Sequence, residues 1–188
     1  MRKYAVVILL LAISASAQEI GKGSKELELF AQGGHSVSGG RGNTGAFDGG
    51  LRLGYGLFSL GSHALRGTFE YTVEFIPVYY IVQPGKNAYG ASFTPFDLKY
   101  NFTAPRRAIP YIELGGGVLF TNHDVPPQTS WVNFTPQAAI GVHLPLPNSS
   151  HHLTLALKYV HISNAGLSVP NPGVNTIQFR IGIGAFHK

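Results

Sequence analysis

The chain has 188 residues, no cysteine, 24 glycines and 12% charged residues, the last about half the usual share. Without cysteine there is neither a disulfide framework nor a lipid-modified cysteine anchor, so packing and backbone pairing must hold the fold. The formal net charge of +5 is mild and no basic run exceeds Arg106-Arg107, which argues against nucleic acid as a partner.

The first residues, MRKYAVVILLLAISASAQ, combine a basic start at Arg2 and Lys3, an apolar run from Tyr4 to Ile13 and the small residues Ala15-Ser16-Ala17. This is the pattern of a secretory signal peptide over residues 1–17, cut after Ala17. Its apolar run is too short to span a bilayer as a helix, and no later stretch is longer. Residues 18–188 then form a single exported domain.

Through that domain the hydrophobic period is two, not 3.6. Leu65, Phe69, Tyr71, Val73 and Phe75 alternate with Arg66, Thr68, Glu70, Thr72 and Glu74. The same alternation predicts strands at 25–37, 46–58, 64–79, 87–102, 108–121, 131–144, 151–163 and 174–186. Turn-rich segments such as SGGRGNTG, QPGKN, DVPPQTS and LPNSS separate them. The expected fold is all-β, an eight-stranded antiparallel barrel.

A soluble lipid-binding barrel would turn its apolar face inward, whereas a transmembrane β-barrel turns it outward around a polar lumen. Arg52, Arg66, Glu70, Glu74, Gln178 and Arg180 share one face and could pair inside a narrow lumen, and little charge is left for a water-facing exterior. Tyr79, Tyr80, Tyr89, Tyr100, Tyr111, Phe120, Trp131, Phe134 and Tyr159 fall towards strand ends, as interfacial girdles do. The transmembrane barrel is therefore the favoured reading, in the bacterial outer membrane. An even strand number puts both termini on the periplasmic side and the loop after the seventh strand outside.

That seventh strand ends in HISNAGLSVPNPG. Continuing the parity of Leu153, Leu155, Leu157 and Tyr159, His161 and Ser163 point outward, and across the hairpin Asn175 shares the parity of Ile177, Phe179 and Ile181. Polar side chains facing lipid are costly unless they lie at headgroup depth or act on a lipid. A serine hydroxyl needs a general base, which His161 can supply, and the base needs a third group to orient it, which Asn175 can supply through its side-chain oxygen. Backbone N–H groups of Asn164 to Gly166 and the amides of Asn164 and Asn171 are candidate donors to an ester oxyanion.

HISNAG followed by PNPG on the last hairpin resembles the outer-membrane lipid A 3-O-deacylases of the PagL type, the acyloxyacyl hydrolases. The resemblance extends more weakly over the mature chain in length, signal peptide and strand number. It implies a barrel whose Ser-His-acid site faces the outer leaflet and removes an ester-linked acyl chain from the 3-position of lipid A. By that resemblance Ser163 is the nucleophile, His161 its base, and Asn164, Gly166 and Asn171 support the site. Asn175 stands where the best-known members carry glutamate. In a serine-protease triad the equivalent change lowers turnover on the order of 10⁴-fold, because the histidine tautomer is wrong. The consequence here turns on which atom of Asn175 faces His161. Glu70 and Glu74 have lumen parity, and Asp124 is only a remote substitute.

The remaining chemistry-bearing residues point to less. His151 and His152 adjoin a turn and, as neighbours on a strand, face opposite ways, so they read as exposed histidines and no metal or cofactor is expected. Arg41, Arg106 and Arg107 are loop charges within reach of lipid phosphates or water. Lipopolysaccharide and membrane lipid are the expected partners. A non-catalytic barrel with a structural or ligand-binding role is the alternative from another functional class.

Overall fold

In a computed structural model, residues 20–104 and 107–188 are described; the predicted signal peptide and Arg106 lie outside them. Nine antiparallel strand segments are present: β1 (Lys25–Val37), β2 (Gly45–Leu60), β3 (Gly67–Val82), β4 (Ala88–Phe102), β5 (Ile109–Thr121), β6 (Val132–Phe134), β7 (Gln137–Pro145), β8 (His151–Ile162) and β9 (Val174–His187). β6 and β7 occupy one position, because both pair with β5 and only Thr135-Pro136 separates them. The break does not open the sheet. Thr135 N–H donates to Gly117 O at 2.8 Å and His161 N–H to Pro136 O at 2.9 Å. Neighbouring strands pair throughout, β1 pairs with β9 and β4 with β5, so the nine segments close into the expected eight-stranded transmembrane β-barrel.

Closure sorts the alternating side chains into a wall and a lumen. Leu51, Leu53, Phe75, Leu114, Ile140 and Phe179 are exposed on the wall. Charged residues go inward. Glu74 Oε1 accepts from Arg52 Nη2 at 2.7 Å and Arg180 Nη1 at 2.6 Å, while its Oε2 accepts from Lys158 Nζ at 3.0 Å. Arg52 also reaches Glu113 at 2.6 Å, and Lys99 lies 2.6 Å from Glu26 and 3.0 Å from Glu70. Such an apolar exterior and ionic interior suit hydrocarbon and exclude the soluble barrel, whose parity would be reversed.

The lumen is not polar throughout. Phe30, Ile81, Leu119, Val125, Val160, Ile162 and Val174 form a buried apolar cluster beneath the rim that carries loops 38–44, 83–87, 122–131 and 163–173. It arises partly from two bulges. The β3–β4 register shifts between Ile76 and Tyr79 around Pro77, and the β4–β5 register shifts between Phe93 and Phe96 around Pro95. Each bulge exchanges the inward and outward parity of its strand, and proline lacks the N–H that an unbroken ladder would use there.

The structure corrects several expectations. Tyr79 lies beyond the Pro77 bulge and is buried in the lumen, and Tyr111 has lumen parity on β5, so neither belongs to the aromatic girdle. Tyr89, Phe120, Trp131, Phe134 and Tyr159 do lie exposed on the wall. Arg66 is exposed, because His63–Leu65 form a 3₁₀ turn and β3 begins only at Gly67. His152 is fully buried in the lumen rather than exposed.

Replacing Glu74 by alanine leaves two guanidinium groups and an ammonium without their shared acceptor. Breaking buried ion pairs in this way costs about 3–5 kcal/mol. Urea unfolding of the Glu74→Ala barrel in detergent should show a loss of that size, with a midpoint shift and little change in slope.

Candidate active site

Loop 163–173 joins β8 to β9, and the pairing of these strands places His161 directly opposite Asn175. Both have wall parity. Their neighbours Val160, Ile162, Val174 and Thr176 are buried on the lumen side, so the apolar cluster forms a floor beneath the pair. Sequence and structure agree on this outward placement.

His161 Nδ1 and Asn175 Oδ1 are 2.6 Å apart. Asn175 Nδ2 donates to Ser38 O at 3.2 Å, and since a carbonyl can only accept, this bond settles which end of the amide faces the histidine. Oδ1 accepts from an N–H on Nδ1, so Nε2 keeps its lone pair. Asn175 therefore selects the same histidine tautomer that a carboxylate would select, though it contributes no negative charge.

Gly173 lies against the other edge of the ring. A Cβ at this position would sit 2.7 Å from His161 Cε1 and 3.3 Å from Nε2, and the residue has φ +65°. Both facts require glycine. Gly173 O accepts the Arg41 N–H at 2.8 Å, so loop 38–44 braces the site through Gly173 as well as through Ser38.

Ser163 follows immediately after β8, forms an isolated antiparallel bridge with Phe134 and is buried. Its backbone is tied to Phe134 in both directions, with Phe134 N–H donating to Ser163 O at 2.7 Å and Ser163 N–H to Phe134 O at 3.1 Å. No hydrogen bond of the Ser163 hydroxyl to another described residue is present, so the expected contact between Ser163 and His161 is not formed in this structure. Unliganded sites often form that contact only when substrate binds.

Asn164 is completely buried and organises the loop. Its N–H donates to Asn171 Oδ1 at 3.1 Å, its Nδ2 to Ser168 Oγ at 2.9 Å, and its Oδ1 accepts the Gly166 N–H at 2.8 Å. Ser168 Oγ continues to Thr129 O at 2.8 Å, which ties loop 122–131 to the site. Of the anticipated oxyanion donors, the N–H groups of Asn164 and Gly166 are thus already used within the loop. Asn164 and Gly166 hold the turn, and the Asn171 oxygen faces Asn164. The donors not engaged in these bonds are the Ala165 N–H and the Asn171 amide nitrogen.

A Gly173→Ala chain should keep the barrel yet lose about 1–3 kcal/mol, the cost of a left-handed non-glycine residue. Its Cβ should also displace the imidazole, which NMR of the His161 ring protons would register as a selective change.

Residues 48–184 match the model of the family described as lipid A 3-O-deacylase (PagL). No curated protein sequence matches the chain. The fold is similar to the crystal structure of the outer membrane enzyme PagL, at 20% identity and a TM-score of 0.59, covering 82% of this chain and 97% of that one. Neisserial surface protein A is similar at 17% identity and a TM-score of 0.55, covering 89% and 99%. OprG from Pseudomonas aeruginosa follows at 12% identity and a TM-score of 0.54, covering 92% and 99%. At such identities the structural likeness is one of fold, whereas the family model spans most of the chain and takes in both strands of the His161–Asn175 pair. The chain belongs to the lipid A 3-O-deacylase (PagL) family.

Proposed function

We propose that the protein is an active lipid A 3-O-deacylase of the bacterial outer membrane, exported by its signal peptide, with Ser163 as nucleophile, His161 as general base and Asn175 as orienting group. The observation that carries this reading is the 2.6 Å contact between His161 Nδ1 and Asn175 Oδ1 on the wall of a membrane barrel. It leaves Nε2 as the basic nitrogen, and it lies where an acyl chain in the bilayer could approach.

Ser163 Oγ attacks the ester carbonyl carbon while His161 Nε2 takes the hydroxyl proton. The carbonyl oxygen gains charge and is met by the Ala165 N–H and the Asn171 amide, the donors that the loop leaves uncommitted. Collapse expels the sugar 3-hydroxyl group, which takes the proton back from His161. Water, deprotonated by the same nitrogen, then releases the 3-hydroxy fatty acid and restores the serine. Asn175 holds the tautomer through both halves of the cycle, but as a neutral group it stabilises the imidazolium less than a carboxylate does.

Incubating the purified barrel with lipopolysaccharide in detergent should release free 3-hydroxy fatty acid. Ser163→Ala should lower the rate at least about 1000-fold with the fold intact. A wild type without release, or undiminished release by Ser163→Ala, would leave the protein a non-catalytic barrel.

The third member is tested separately. Asn175→Ala should reduce kcat by about 100-fold or more, since His161 loses its orienting partner. Asn175→Asp keeps the shape and adds charge, so its kcat should match or exceed that of the wild type. A folded Asn175→Asp chain with collapsed activity would remove Asn175 from the mechanism.

A further inference from the structure

At the rim opposite the site, four side chains converge in the lumen: Glu26 and Glu28 from β1, His143 from β7 and His152 from β8. All four are buried, and one ligand atom from each lies within 4.8 Å of the others. The catalytic reading makes no use of them. β1 and the β7–β8 pair are not adjacent, since β9 lies between β1 and β8, so the cluster spans the lumen.

Their spacing is unlike that of a hydrogen-bonded network. Glu26 Oε1 lies 3.8 Å from His143 Nε2 and 3.6 Å from His152 Nε2, and His152 Nε2 lies 3.7 Å from Glu28 Oε2. These separations are too long for hydrogen bonds. Glu26 Oε1, Glu28 Oε1, His143 Nε2 and both ring nitrogens of His152 have no hydrogen-bond partner among the described residues. Around a tetrahedral zinc ion with bonds of about 2.1 Å, neighbouring ligand atoms sit about 3.4 Å apart, so these three separations need shorten by only a few tenths of an ångström, while the others, all within 4.8 Å, must close by up to about 1.4 Å on binding.

The surroundings prepare the ligand atoms. Thr154 Oγ1 gives its one hydrogen to Glu28 Oε2 at 2.6 Å, so its 2.9 Å contact with His143 Nδ1 must be donated by the ring. His143 Nε2 then carries a lone pair directed at Glu26. A histidine that donates through one nitrogen and ligates through the other is the usual arrangement at a metal. Lys99 takes Glu26 Oε2 at 2.6 Å and leaves Oε1 for the cluster. Gly184, opposite His152 in register, makes room: a Cβ there would lie 2.8 Å from His152 Nε2.

We propose that Glu26, Glu28, His143 and His152 bind a divalent transition-metal ion of the zinc class, as a closed structural site that clasps β1 to the β7–β8 hairpin. Two imidazoles and two carboxylates suit zinc better than magnesium or calcium, and four protein ligands leave no open position for chemistry.

The test uses the full chain, folded in detergent without a histidine tag, dialysed against micromolar zinc chloride and then against metal-free buffer. Elemental analysis should find about one zinc per chain. Cobalt in place of zinc should give the intense visible absorption of tetrahedral coordination. His143→Gln and Glu28→Gln, checked for folding by heat-modifiable mobility, should lose the metal, whereas His151→Gln, one residue away on the other face, should retain it. Chelation should lower the thermal transition of the wild type and leave that of His143→Gln unchanged. Absence of stoichiometric zinc in the folded wild type, or equal uptake by wild type and His143→Gln, would overturn the proposal; either result is independent of Ser163 activity.

Discussion

Glu74 sits in the lumen with Arg52, Arg180 and Lys158 around its two oxygens, and the barrel is organised about that convergence. The residues come from β2, β3, β8 and β9, so the contacts cross the lumen as well as follow its wall. A membrane barrel must turn apolar residues to lipid, and strict alternation then sends every intervening residue inward. An eight-stranded barrel has too little interior for much water, so the inward charges must satisfy one another. Loss of the shared carboxylate would expose every neighbour to a buried cation, which makes Glu74 the keystone of the charge pattern.

The candidate site uses the opposite side of the same strands. Val160, Ile162 and Val174 are held inside by the apolar cluster, and their outward neighbours are thereby fixed on the wall. Asn175 is held by Ser38, His161 is confined by Gly173, and Asn164 bonds with Asn171, Ser168 and Gly166. Three loops converge on a site whose chemistry belongs to one hairpin. The amide at position 175 presents an oxygen to His161 Nδ1, as a carboxylate would, without a carboxylate's charge.

Much of this was legible in the sequence because the two-residue period is strong. The strand from Lys25 to Val37 appears where alternation predicts it, and the outward parity of His161 and Asn175 follows from Leu157, Tyr159 and Ile177. The period failed where the chain departs from a regular ladder. Pro77 and Pro95 lie at the register shifts, and proline within a strand was the available sign of them; passing over Pro77 left Tyr79 on the wrong face. His152 adjoins a turn, which suggests exposure, but it shares the lumen parity of Ala156 and Lys158 and is buried. His143 offered no local signal at all. Its meaning depends on Glu26 and Glu28, which are more than a hundred residues away in sequence and meet it only when the barrel closes. The internal use of the Asn164 N–H likewise depends on a loop conformation that a string of turn-forming residues does not specify.

The apolar cluster also determines what the molecule cannot transmit. Phe30, Ile81, Leu119 and Val160 fill the cross-section near the loop rim, while the ion pairs fill the section below it. A hydrated solute entering from either end would have to shed its water shell against hydrocarbon or separate buried charges from their partners. Apolar packing near the loops and ion pairs below them therefore both oppose the passage of a hydrated solute, while the outer wall is left free to face lipid.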